Sequence, residues 1–76
     1  MEARATWLDG DAVLIRFPWS RHLLAEFKAW VPPRYRIWVK DQQAWRVRHP
    51  HAEPAIEWLT RKYPLAPVDM LDGRTV

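Results

Sequence analysis

The sequence predicts an α+β domain of two β-hairpin–helix units, ββαββα, whose twisted antiparallel sheet carries both helices on one face. Three observations lead to it. An Asp9-Gly10 pair separates two short apolar runs, an apolar stripe of helical period lies between Ser20 and Pro32, and the second half of the chain repeats the pattern of the first. A single domain over residues 1–64 and a tail or linker over 65–76 follow from the same pattern.

Each element has its own signal. Thr6-Trp7-Leu8 and Ala12 to Phe17 flank Asp9-Gly10, a strong two-residue hairpin signal because both central residues take positive φ. Pro18 ends the second strand, and Ser20 is placed to cap a helix by accepting from an unpaired backbone N–H. Leu23, Leu24, Phe27, Trp30 and Val31 form one helical stripe, and Pro32-Pro33 stops it. A second hairpin runs from Arg34 to His49. A second helix follows, with Pro54 in its first turn, Ala55, Ile56, Leu59 and Tyr63 on one face, and Arg61 and Lys62 near its negative end. Pro64 closes it. Leu65 to Val76 shows no periodicity.

The halves superimpose at an offset of 32 residues, which carries Val13, Ile15, Pro18, Phe27 and Pro32 onto Trp45, Val47, Pro50, Leu59 and Pro64. The leading strands match at an offset of 31, Trp7 onto Trp38, so the second hairpin turn is one residue longer. Chance matching of apolar patterns competes with this reading, but both prolines fall on helix boundaries. A two-residue first turn makes the second turn odd. Tyr35, Ile37, Val39, Trp45 and Val47 would then share the covered face, opposite Arg34, Arg36, Trp38, Lys40, Ala44, Arg46 and Arg48. An even turn would instead put Trp38 and Trp45 together and mix arginine into both faces. The expected core is Leu8, Val13, Ile15, Phe17, Leu24, Phe27, Val31, Ile37, Val39, Trp45, Val47, Ile56 and Leu59.

Composition narrows the function. The 76 residues contain six tryptophans and no cysteine, which excludes disulfides and cysteine-bound metal centres. No apolar run approaches the ~20 residues that span a bilayer, and no signal-peptide core begins the chain. An intracellular protein, cytoplasmic or nucleoid-associated, is expected, with no membrane partner. Net charge is +3, but residues 14–64 hold ten Lys/Arg against four Asp/Glu. Nine of the twelve basic residues are arginine, which suits bidentate phosphate contacts and stacking. A base-composition bias also raises arginine, though it does not cluster it.

Arginine interleaved with tryptophan in Arg34–Lys40 and Ala44–Arg48 can neutralise phosphates and stack bases, which makes nucleic acid the first partner to weigh. The expected contacts are Arg16, Arg34, Arg36, Trp38, Lys40, Arg46 and Arg48, with Trp7 a further stacking face. Two other readings compete. The tryptophans can all serve a small core, or the Trp/Arg patch can dock a protein, since both types are enriched in binding hot spots. Enzymatic chemistry has little support. Only Gly10 and Gly73 are available for a phosphate loop, Glu53 and Glu57 fit a solvated helix face, and His49-Pro50-His51 with Glu53 lacks a further metal ligand. No cofactor, metal or catalytic residue is expected.

The order Phe17-Pro18-Trp19, Leu23-Leu24, Phe27-Lys28, Pro32-Pro33, Arg34-Tyr35, Trp38 and Trp45 before a final helix resembles the HARP-like domains that precede the motor of annealing and remodelling helicases. The resemblance spans about Val13 to Pro64. The chain departs from the pattern at Gln43-Ala44-Trp45, where a lysine commonly precedes the tryptophan, and has no glycine before the first hairpin strand. The resemblance implies a non-catalytic module for single-stranded or forked DNA, and a helicase motor in the same or another chain as partner.

Overall fold

A computed structural model describes residues 2–8 and 10–70. Strands β1 (Arg4–Trp7) and β2 (Ala12–Arg16) precede helix α1 (Arg21–Trp30), a 3-10 turn (Pro33–Tyr35), strands β3 (Arg36–Val39) and β4 (Ala44–Arg48), helix α2 (Ala52–Lys62) and strand β5 (Val68–Met70). The strands form one sheet in the order β3-β4-β2-β1-β5. The two hairpins therefore meet through their second strands, β2 antiparallel to β4, as two like units placed side by side would.

The fold is α+β, and both helices lie on one face. Phe27 and Val31, from α1 and its C-cap, join Ala55, Trp58 and Leu59 of α2 over Val13, Ile15 and Val47 in a single core. Phe27 and Leu59, equivalent in the two halves, are both fully buried. The Ser20 hydroxyl caps α1 as its sequence position suggests, accepting from the Leu23 N–H at 3.2 Å. Pro54 sits in the first turn of α2, where its missing N–H costs nothing. Among the described residues, no helix is long and apolar enough to cross a membrane.

Three expectations need correction. The first turn holds three residues rather than two, because Trp7 pairs with Val13 and the Leu8 N–H donates to the Ala12 carbonyl. Asp9 itself lies outside the described residues. One more residue makes the second turn even: Val39 pairs with Ala44 and Trp38 directly with Trp45. Trp38 and Arg36 consequently share the helix side with Trp45 and Val47, while Ile37 and Val39 share the open side with Ala44, Arg46 and Arg48. Ile37 is 57% exposed, not core. An edge strand tolerates this mixing because β3 lies beyond the packed helices.

The sheet is also mixed rather than antiparallel throughout. Val68–Met70, which the sequence places in the tail, runs parallel to β1 with Ala5 opposite Val68. The remainder of that expected tail, residues 71–76, lies outside the described residues. Finally, Trp58 of α2, absent from the expected stripe, is buried in the core beside Ala55 and Leu59. Its indole N–H donates to Glu26 Oε1 at 3.0 Å, which lets a polar-edged ring be buried.

Candidate nucleic-acid interface

The seven expected contact residues divide between the two sides of the β3–β4 hairpin. Arg16, Arg46 and Arg48 project on the open side of the sheet, together with Ile37. Arg36 and Trp38 lie on the helix side, Arg34 in the 3-10 turn and Lys40 in the hairpin turn. The single Trp/Arg face expected from the odd register is thus not formed; tryptophan and most of the arginine flank the same edge strand from opposite sides.

Several of these cations are held in place. Arg16 directs both Nε and Nη2 to the Gln42 carbonyl, at 3.2 and 2.9 Å. Arg48 Nε donates to the Arg34 carbonyl at 3.1 Å, and its guanidinium lies 5.4 Å from the Tyr35 ring centre. Arg36 Nε donates to the Val31 carbonyl at 3.0 Å. Each arginine keeps N–H groups beyond these bonds, since guanidinium carries five donors. Bracing of this kind lowers the entropy lost when an anion is bound. Arg4, by contrast, is paired with Asp69 at 2.9 Å.

On the helix side a groove of about 310 Å³ opens between the start of α1 and the hairpin. Trp19, Trp38 and Trp45 line it with Phe17, Leu24 and Gln43. Trp19 is 78% exposed and Trp38 48%, so both offer ring surface to solvent. Trp45 forms the inner wall. Its ring meets Phe27 at 5.5 Å within the core and Trp38 at 5.3 Å toward the surface. Lys28 Nζ and the Arg36 guanidinium stand 5.5 and 5.7 Å from the Trp45 ring centre. The groove therefore combines exposed indole faces with a Trp45 wall whose ring also meets two cations outside the groove lining.

Trp19, Lys28 and Gln43 are absent from the residues expected to bind. Trp19 carried one legible signal: it lies between Pro18 and the helix cap, outside any apolar stripe, where no core position awaits it. Lys28 and Gln43 carried none, because their place depends on how α1 crosses the hairpin. His51, weighed as a metal ligand, stacks on Tyr35 at 4.5 Å between ring centres.

Comparison with protein-family models, curated proteins and solved structures finds no match for this chain.

Proposed function

We propose that this chain is a non-catalytic nucleic-acid-binding module, working inside the cell, that takes single-stranded or forked DNA along the β3 edge of its sheet. The observation that carries the reading is the pair of exposed indoles, Trp19 and Trp38, flanking one groove whose inner wall, Trp45, has Lys28 and Arg36 against its ring. Bases stack on aromatic faces irrespective of sequence, and cations beside them neutralise the phosphates. Arg46 and Arg48 on the other side of the same two-stranded edge, with Arg16 at the end of neighbouring β2, extend the positive track. The HARP-like pattern from Val13 to Pro64 supports the same function and a helicase motor, in this chain or another, as the protein it serves.

A second reading has an observation of its own. The groove wall is almost wholly apolar, which also suits an anchoring side chain from a partner protein. Salt titration separates the two. Binding of a labelled mixed-sequence oligonucleotide, followed by anisotropy, should weaken steeply as salt rises. Arg46→Ala and Arg48→Ala should each flatten the salt slope by about one unit. Trp38→Ala should cost ~1–3 kcal/mol of binding with the slope nearly unchanged. Melting curves of each variant exclude simple unfolding. If all three variants bind DNA like the parent, the protein-docking reading replaces this one.

A further inference from the structure

We infer that the open edge of β3 takes an extended peptide of alternating acidic and apolar residues as a sixth strand of the five-stranded sheet. This goes beyond the nucleic-acid reading, because it uses the β3 backbone, which stacked bases and paired phosphates leave untouched. In the strand order β3 has β4 on one side and no strand on the other. Outside the ladder, the backbone bonds of β3 among the described residues lie at its two ends. The Arg36 N–H donates to the Pro33 carbonyl, and the Val39 carbonyl accepts from the Gln42 N–H. Every second residue of an edge strand turns its N–H and C=O away from the neighbour, so β3 offers free backbone groups between those ends. No proline or glycine interrupts Arg36-Ile37-Trp38-Val39.

The side chains of β3 select the strand that fits. Arg36 and Trp38 lie on the helix side, with Lys40 following in the turn, while Ile37 and Val39 lie on the open side. Lys28 Nζ, 5.5 Å from the Trp45 ring centre, adds a second cation on the helix side. Side chains of an added strand fall beside these in alternation. Carboxylates on one face then meet Arg36, and aliphatic groups on the other meet Ile37 and Val39. The wider surface favours the same occupant: residues 34–48 hold Arg34, Arg36, Lys40, Arg46 and Arg48 against Asp41 alone. These cations also weigh against a second copy of the chain, since two β3 edges would set like charges side by side. Strand β5 of a second copy fits no better. It offers one carboxylate, Asp69, which Arg4 already holds.

The test uses a labelled octapeptide alternating Glu and Val, with blocked ends, read by anisotropy at low salt and by amide hydrogen exchange. The parent should bind it about tenfold or more tighter than the same peptide with Lys for Glu. Exchange at Ile37 or Trp38 should slow in the complex. N-methylation of the Glu amides and of the Val amides, in separate peptides, should act unequally, because only one set faces β3. One series should lose about tenfold in affinity, as two or so missing backbone bonds imply, and the other should bind like the unmethylated peptide. Lys40→Glu, at an exposed position, should weaken binding about threefold or more without changing Tm. Equal binding of all three Glu peptides leaves charge alone as the cause and overturns strand addition. Equal binding of the Lys peptide overturns the acidic partner. Exchange at β3 that slows with protein concentration alone gives the edge to a second copy instead. Absence of binding by every peptide removes this inference, while oligonucleotide binding, measured separately, stands or falls by itself.

Discussion

Phe27 meets four aromatic rings, Phe17 at 5.9 Å, Trp45 at 5.5 Å, Trp58 at 5.6 Å and Trp30 at 6.3 Å, and no solvent reaches it. In a chain too small for a broad aliphatic core, one phenylalanine therefore meets more aromatic rings than any other described residue. Phe27→Ala should cost ~3–5 kcal/mol, against a total of about 5 kcal/mol for a domain near this size. Chemical denaturation of the variant should show a largely unfolded population in water; a cooperative transition near that of the parent would remove Phe27 from this role. Trp45 lies between that cluster and the groove. It is half-buried, inward against Phe27 and outward against Trp38, Lys28 and Arg36, so the core fixes the ring on which the groove is built.

Helix α1 is joined to α2 through Glu26, whose Oε1 accepts from the Trp58 indole at 3.0 Å and contacts Lys62 Nζ at 2.9 Å. The Lys62 contact first, then the Trp58 bond, hold the Glu26 carboxyl below the usual glutamate range. A lowered folded value means that the ionised form stabilises the fold above the unfolded value, and that this is lost as pH falls through the folded one. Glu26→Gln should therefore melt below the parent at neutral pH, with the gap closing as pH drops below the ordinary carboxylate range. Equal Tm values at pH 7 would show that the contact contributes nothing. The elements themselves were legible in the sequence: proline, serine and apolar period marked both helices, and the 31- and 32-residue offsets carried the true strand register. Reading Asp9-Gly10 as a two-residue turn shifted that register by one, which sent Trp38 and Ile37 to the wrong faces. Strand β5 was not legible, because three residues beside Pro67 have no period of their own and take their form from β1. The groove was half-visible: its exposed tryptophans stand out in the sequence, but the side of the sheet they occupy is set by a single turn residue.

At the scale of the whole molecule, the two sheet edges are managed differently. β3 is the open edge beside the groove, and at the far side the edge is the three-residue β5, which covers the longer β1. An open strand edge exposes unpaired N–H and C=O groups that recruit other chains. Three contacts hold the far cover in place: the Ala5 N–H donates to the Pro67 carbonyl at 2.9 Å, Arg4 pairs with Asp69, and Val68 packs on the core. The ion pair is partly exposed and contributes at most ~1 kcal/mol. Half-burial of one valine adds about 1 kcal/mol more. Ending the chain after Pro67 should therefore lower Tm by roughly 5–15 °C in a domain of this size. It should also leave β1 as a free edge, so that the shortened chain associates as concentration rises, which light scattering would record. Trp38 of the groove lies on β3, at the opposite end of the strand order from β5, so the oligonucleotide affinity proposed for the groove, measured below the melting range, should be unchanged. A shortened chain that stays monomeric and melts with the parent would show that β5 neither stabilises the sheet nor guards its edge.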